Sequence, residues 1–126
     1  MKLKVSKKAI AEDEGIVYVL LTKMEDKDLV KIGITTRSKI EDRVVEILSS
    51  AFKKYREFFY CYPKRFTKTT DIFAKEAMLH RYFDDRRYET KHKFGGCTEM
   101  FDVPLDEVVD AYERVLAGEN LDEVQP

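Results

Sequence analysis

The chain is poor in cysteine and contains no long apolar segment. Two cysteines in 126 residues do not make a disulfide framework, so we expect a reducing, cytoplasmic environment. No stretch approaches the ~20 apolar residues that cross a bilayer. The first residues, Met1–Lys4, lack the apolar run of a signal peptide, and we therefore expect no association with a membrane.

Several common catalytic and ligand-binding motifs are also absent from the sequence. The sequence has no glycine-rich phosphate loop, no serine or cysteine triad signature, no internal repeat and no linker. The histidines His80 and His92 and the cysteines Cys61 and Cys97 match no compact zinc-ligand spacing. With 44% hydrophobic and 37% charged residues, the composition predicts one soluble globular domain.

The net charge of −1 conceals an asymmetry along the chain. Residues 51–93 carry 12 Lys and Arg against 6 Asp and Glu, a net charge of +6. Residues 94–126 carry 1 basic and 9 acidic residues, a net charge of −8. A basic middle segment can meet a polyanion, although charge runs are also typical of ordinary solvated faces.

The apolar pattern predicts the element order β-β-α-β-α-(β)-α. We predict strands at 16–22, 29–35 and 58–62, a basic loop at 64–68, a mobile polar loop at 84–98 and a short extended segment at 99–103. Helices are expected after the capping box at Ser38, after Thr69 or Thr70, and from Pro104 to a stop at Gly118. The fold class is α/β of the α+β type, a small three-stranded antiparallel sheet flanked by helices. Residues 1–14 would form a polar arm, 15–117 the domain and 118–126 an acidic tail.

Glu76 breaks the pattern of the second helix. On a helical wheel at about 100° per residue, it falls within the apolar stripe of Ile72, Leu79 and Phe83. A buried, unpaired carboxylate is costly, so Glu76 needs a metal ion, strong donors, or a Lys or Arg partner. The position alone does not decide between a metal ligand and a structural ion pair.

Lys31 and Gly33 interrupt the second strand. Strand alternation places both on one face and the apolar residues between them on the other. The Lys31 face is either solvated or holds an anion, and Gly33 leaves the backbone bare for a ligand.

Tyr18 and Arg43 can join Lys31. If the hairpin turn is centred between Met24 and Glu25, Tyr18 faces Lys31 directly across the two strands. Arg43 borders the apolar stripe of the first helix, where it either reaches the sheet edge or extends into solvent. With Glu76, these residues supply a base, a cation and a carboxylate, which is the inventory for metal-assisted attack on a phosphodiester.

The segments Gly15–Leu20 and Lys31–Thr35 together resemble the paired motif of GIY-YIG endonucleases. The match is closest to their small phage-type branch (bacteriophage T5 open-reading-frame-like), which commonly has lysine at the position of Lys31. Arg43 lies where that branch has its helix arginine. Glu76–Phe83 resembles its glutamate helix, and Glu99–Phe101 with Pro104–Val108 resembles its closing segment. The resemblance covers about residues 15–112.

The resemblance implies hydrolysis of DNA, expected to be double-stranded, with one divalent cation, Mg²⁺ or Mn²⁺. Glu76 would bind the ion, Arg43 would hold the scissile phosphate, and Tyr18 or Lys31 would activate the water. The expected substrate contacts are Gly33, Thr35, Lys64, Arg65, Lys68 and His80. His80 would alternatively pack or orient Glu76, and the basic loop would alternatively be a solvated turn.

The sequence also departs from the family pattern. Tyr55 is the nearest counterpart of the histidine or tyrosine that many relatives carry after the arginine, and the asparagine of some relatives is missing. The alternatives are a catalytically inactive nucleic-acid- or protein-binding module on the same scaffold, and an adapter that uses the acidic last helix. Because a domain of this size has little surface for base recognition, a homodimer or a protein partner would supply specificity. The host cytoplasm is the expected location if a phage encodes the chain.

Overall fold

A computed structural model describes residues 13–57 and 59–123 as an antiparallel sheet flanked by helices. The elements are β1 (Glu14–Met24), β2 (Lys27–Thr35), α1 (Ile40–Tyr55), β3 (Cys61–Thr70), α2 (Ile72–Tyr82), β4 (Met100–Phe101) and α3 (Leu105–Leu116), with 3-10 turns at Asp84–Arg86 and Cys97–Glu99. The predicted α+β class and element order are confirmed. The sheet of the described residues has four strands rather than three, because the extended segment near residue 100 joins it as β4.

The strand order β3-β1-β2-β4 places β1 and β2 in the middle of the sheet, covered on both faces. Alternate residues of these strands, Val17, Val19, Val30 and Ile32, pack in one core with α2 and α3. The residues between them, among them Tyr18, Leu20 and Leu29, pack in a second core with α1 and the segment around Phe94 and Cys97. The sheet therefore separates α1 from the other two helices.

The hairpin between β1 and β2 turns one residue later than predicted. Glu25 and Asp26 form the turn with φ of 53° and 63°, and positive φ at both central residues is the geometry of type I′ hairpin turns. Tyr18 is therefore opposite Gly33, and the predicted pairing of Tyr18 with Lys31 is wrong. Because the register changes by two residues, Tyr18 and Lys31 still lie on one face.

The third strand was predicted too early and too short. It runs from Cys61 to Thr70, so the predicted basic loop at 64–68 is part of a strand, while Phe58 lies outside the described residues. The strand tolerates Pro63 because β3 is at the sheet edge. A register shift opposite Val19 and Leu20 adds a bulge beside this proline.

The predicted caps of the first two helices are wrong. The N-cap of α1 is Lys39 without a side-chain hydrogen bond, so Ser38 forms no capping box. The N-cap of α2 is Asp71 in a left-handed conformation, since Thr69 and Thr70 remain paired in β3.

The last helix begins and ends where predicted. Pro104 is the N-cap of α3, and Gly118, with φ of 100°, follows its last turn. The acidic segment beyond it is anchored by Leu121, which is buried in the core with α2 and α3. None of the helices in residues 13–57 and 59–123 is long and apolar enough to cross a membrane.

The polar segment 84–98 contacts the sheet at several points. Arg87 forms a bridge with Phe101, and the backbone N–H of Tyr88 donates to the carbonyl of Met100 at 2.8 Å. Phe94 and Cys97 are buried in the α1 core, and both cysteines of the chain are free. This segment therefore forms one wall of that core. The predicted N-terminal arm lies outside the described residues except for its last two.

Candidate active site

The shortness of β4 leaves part of β2 open. β4 pairs with β2 only at Val30 and Lys31. Beyond this point no strand of the described residues covers the outer edge of β2, and His80 of α2 contacts the carbonyl of Ile32 there. Glu99 immediately precedes β4 and contacts Lys31. The open edge is therefore where side chains from both faces of the sheet meet.

Tyr18, Lys31 and Arg43 form a hydrogen-bonded cluster on the α1 face. The Tyr18 hydroxyl oxygen accepts hydrogen bonds from Lys31 Nζ at 3.2 Å and from Arg43 Nε at 3.2 Å. Tyr18 is fully buried and Lys31 is 1% exposed, whereas the Arg43 side chain is 23% exposed. Two cationic donors thus converge on one phenol oxygen, and the arginine extends from there to the surface.

Two glycines make room for these polar groups. A Cβ atom at Gly33 would lie 2.5 Å from the Tyr18 hydroxyl oxygen and 2.9 Å from Glu99 Oε1. A Cβ atom at Gly96, whose φ is +88°, would lie 2.8 Å from Lys31 Cε. Glycine at both positions therefore lets the cluster approach the backbone.

Glu99 connects the cluster to Glu76. Its carboxylate forms an ion pair with Lys31 Nζ and lies within hydrogen-bonding reach of the Glu76 side chain. Burial raises the pKa of Glu76 to about 7, Glu99 adds to this increase, and Lys31 and Arg43 oppose it. Two carboxyl groups in contact share a proton or a cation, because two bare negative charges so close together repel each other.

His80 lies one turn after Glu76 on α2. Because a carbonyl oxygen only accepts, His80 Nε2 carries the proton that is donated to Ile32 over 2.8 Å. The same nitrogen is 3.8 Å from Glu76 Oε2. Burial lowers the pKa of His80, which favours the neutral ring. His80 therefore stands beside Glu76 without adding a charge.

The donors at Glu76 fit a hard divalent cation. Glu76 Oε2 is buried without a hydrogen-bond partner, and Glu99 brings a second carboxylate next to it. Mg²⁺ and Mn²⁺ prefer such oxygen ligands, and Mg²⁺ usually keeps several waters with one or two protein carboxylates. Within the described part of the chain, no group of three or more His, Cys, Asp or Glu side chains could hold a metal. An ion here would take its remaining ligands from water and substrate.

Thr35 and Tyr55 lie on different sides of this cluster. Thr35 ends β2, accepts a hydrogen bond from the Arg37 backbone N–H at 3.1 Å, and lines an open groove beside Arg43. The Tyr55 hydroxyl donates to Glu25 at the hairpin tip instead of contacting the cluster. Thr35 and Arg43 therefore line the same groove, and Tyr55 lies away from it.

The three basic residues predicted to contact substrate lie on β3, at the sheet edge opposite β4. Lys68 pairs with Ile16 and so shares the face of Tyr18. Arg65 is on the other face and forms an ion pair with Glu113 of α3 at 2.9 Å. Lys64 lies over the ring of Tyr62. The structure thus separates these residues from the open edge of β2.

Two acidic residues of this region are not singled out by the sequence. Glu99 appears there only as part of a closing segment, although a carboxylate directly before the apolar pair Met100–Phe101 is a usable signal. Glu46 of α1 contacts Arg43 and looks like any exposed charge in the sequence. Both depend on contacts that only the folded chain creates.

The fold and this cluster define a class of protein: a small α+β domain whose open sheet edge carries a buried tyrosine and lysine and a partly exposed arginine beside two neighbouring carboxyl groups. The model of the T5orf172 domain family matches residues 15–116, so the chain belongs to the T5orf172 domain family. This is a phage-type domain that is associated with nuclease-like folds. Searches of the curated proteins and of the solved structures give no match.

Proposed function

We propose that this domain is a metal-dependent endonuclease that hydrolyses DNA phosphodiester bonds. The observation that supports the proposal most is the continuous chain of contacts from Arg43 through Tyr18, Lys31 and Glu99 to Glu76. It joins a phenol, two cations and a carboxyl group that has an unpartnered oxygen. Phosphodiester hydrolysis needs these groups as base, charge stabiliser and metal ligand.

Of the two candidates for the general base, the geometry favours Tyr18. Lys31 Nζ donates hydrogen bonds to Tyr18 and to Glu99, and an ion-paired ammonium has no lone pair for a proton. The Tyr18 oxygen is the acceptor of two cationic donors, which would stabilise its phenolate form. We therefore assign proton acceptance to Tyr18 and charge stabilisation to Lys31.

Arg43 is the cation of the cluster that reaches the groove. Its Nε donates a hydrogen bond to the Tyr18 hydroxyl, and its Nη1 donates one to Glu46 in the groove that both residues line. In the proposed reaction a water oxygen bonds to phosphorus while one P–O ester bond breaks. Tyr18, as its phenolate, would take a proton of that water, and the released ester oxygen would take a proton from solvent. Arg43 would stabilise the negative charge that develops on the phosphate oxygens.

Glu76 would hold the divalent ion, with Glu99 beside it. A bound ion would stabilise negative charge on the phosphate as a Lewis acid. Glu99 also fixes Lys31 through their ion pair, so it positions the cation under Tyr18. His80 keeps the approach to Glu76 free of a further positive charge because its ring is neutral.

A plasmid-nicking assay in Mg²⁺ and in Mn²⁺ tests this proposal. Glu76→Gln and Arg43→Ala should each slow cutting by about 10²–10³-fold, which is the usual effect of removing one group that stabilises the transition state. Mn²⁺ should raise the melting temperature of the parent and leave that of Glu76→Gln unchanged. Glu57→Gln, which removes an exposed carboxylate after α1, is the matched control and should behave like the parent.

Cutting by Glu76→Gln at the parental rate would contradict the metal assignment. A folded parent that binds DNA but cuts none of several substrates with either metal would instead support the alternative of a binding module. No DNA affinity even at low salt would point to a protein adapter.

A further inference from the structure

The open groove beside the cluster contains two arginines that share one carboxylate. Glu46 Oε1 accepts a hydrogen bond from Arg43 Nη1 at 3.3 Å, and Glu46 Oε2 accepts one from Arg37 Nη2. Ile34, Thr35 and Thr36 complete the lining of this groove. Arg37 lies in the connection between β2 and α1, whereas Arg43 and Glu46 lie in the first half of α1.

This arrangement has the geometry of an anion site. Each oxygen of one carboxylate meets a different guanidinium group, as two non-bridging oxygens of a phosphate would. The hydrogen bond from Arg37 lowers the pKa of Glu46, and the hydrogen bond from Arg43 contributes in the same direction. Arg43 is at the same time bound to Tyr18, so an anion between the two arginines lies directly beside the cluster.

We propose that Arg37 is a second phosphate-binding residue and that Glu46 occupies the phosphate position between Arg37 and Arg43 until nucleic acid displaces it. This inference rests on the proposed function, because it takes a backbone phosphate of the DNA substrate as the ligand. The displacement is a side-chain event at the surface, since the side chains of Arg37 and Glu46 are 56% and 37% exposed. Phosphate binding then requires no change in the backbone of α1.

Two consequences follow from such competition. A substrate phosphate must first replace an intramolecular ion pair, so the free domain holds DNA less tightly than its two arginines would allow. Removing the charge of Glu46 should strengthen DNA binding mainly when Arg37 is present, with a smaller gain through Arg43 alone. An ion pair that does not contact DNA predicts no such dependence in the DNA affinity, although the two substitutions would still be coupled in their effects on stability.

The test is the affinity of a fluorescently labelled DNA duplex for the full chain in EDTA, where metal-dependent cutting does not occur. Arg37→Gln should weaken binding by about tenfold and lower the slope of log K against log salt by about 1. Lys39→Gln, which removes an exposed cation two residues later, should have a clearly smaller effect. Glu46→Gln should tighten DNA binding several-fold. The control Glu41→Gln, which removes an exposed carboxylate of the same helix, should change it clearly less.

The double variant Arg37→Gln/Glu46→Gln should lose most of the gain seen with Glu46→Gln alone. The inference is overturned if Arg37→Gln matches Lys39→Gln, if Glu46→Gln matches Glu41→Gln, or if the parent does not bind the duplex. These outcomes are separate from those of the proposed function. If the parent cuts DNA in Mn²⁺ but Arg37→Gln and Lys39→Gln weaken binding equally, the endonuclease proposal stands and the phosphate site at Arg37 is wrong. If the affinities are as expected but the parent cuts no DNA, the phosphate site stands and the endonuclease proposal is wrong.

Discussion

Gly33 determines how closely the Tyr18 hydroxyl and the Glu99 carboxylate can approach β2. Its backbone is extended, so alanine meets no backbone strain there, and the effect of Gly33→Ala is purely steric. The added methyl group would overlap both polar groups, and we expect a loss of about 1–3 kcal/mol in the free energy of unfolding. The rate of DNA cutting should also fall, because the added methyl group displaces the Tyr18 hydroxyl from its hydrogen bonds with Lys31 and Arg43. Urea denaturation and the nicking assay measure the two effects.

Gly95→Ala is the matched control for this prediction. A Cβ atom at Gly95 would lie 3.3 Å from Ser50 Oγ, a much milder contact than those at Gly33, and it meets no group of the cluster. A Gly33→Ala protein with parental stability and parental cutting would show that the cluster does not depend on close approach to the strand.

The sequence predicted the members of the cluster better than their connections. Tyr18, Lys31 and Glu76 stand out because each places a polar group in an apolar strand or stripe. Glu99 does not stand out, because its importance comes from the pairing of β4 with β2, a contact between residues 30 and 101. The hairpin register was wrong for a local reason: nothing in Glu25-Asp26 marks a turn with two positive φ angles as Asn-Gly would.

The edge strand β3 carries basic residues on two faces that should differ in function. Lys68 shares the face of Tyr18, and Lys64 lies in the bulge next to an exposed tyrosine. Arg65 is already paired with Glu113 on the other face. We therefore expect Lys64→Gln and Lys68→Gln each to weaken DNA binding and to lower the salt slope by about 1. Arg65→Gln is the control of equal charge and should change binding less.

Fluorescence anisotropy with one labelled duplex at several salt concentrations measures all three variants. An effect of Arg65→Gln as large as that of Lys68→Gln would mean that DNA contacts β3 along its edge instead of across the Tyr18 face.

β3 also shows why the elements were only partly predictable. Proline and a run of basic residues are typical of a loop, and the prediction ended the strand at Pro63. The folded chain uses this segment as an edge strand, where a missing N–H and solvated cations are tolerated. Strand position within a sheet is a tertiary property, so local pattern alone could not show it. The long helices and the order of elements were predictable because their apolar periodicity is strong.

The proposed active site lies at a seam between the two cores of the molecule. Tyr18, Lys31 and Arg43 belong to the α1 face, whereas Glu76 and His80 come from α2 on the opposite face. They meet beside the part of β2 that the two-residue strand β4 leaves uncovered. The site therefore needs the folded arrangement of both layers, and contacts that hold distant segments together contribute to the stability of that arrangement.

Glu25 provides such a contact at the hairpin tip. Its carboxylate accepts hydrogen bonds from Tyr55 at the end of α1, from the Tyr88 hydroxyl at 2.6 Å and from the Lys91 backbone N–H at 2.8 Å. Burial disfavours the charge of Glu25, but these hydrogen bonds outweigh it and lower the pKa of the carboxyl group. A lowered pKa means that the contribution to stability is present above the ordinary carboxyl pKa of about 4.3 and is lost as the pH falls through the folded-state value.

Glu25→Gln should therefore lower the free energy of unfolding at neutral pH by on the order of 2 kcal/mol, the scale of hydrogen bonds to a charged group. The difference from the parent should shrink as the pH falls below about 4, because the parent then loses the same charge. Urea denaturation at several pH values measures this, with Asp28→Asn, an exposed acid of the same hairpin, as the control. Cutting per folded molecule should stay at the parental level, since Glu25 contacts none of the cluster. A stability gap that is absent at neutral pH, or that persists unchanged in acid, would show that the charge of Glu25 does not join the three segments.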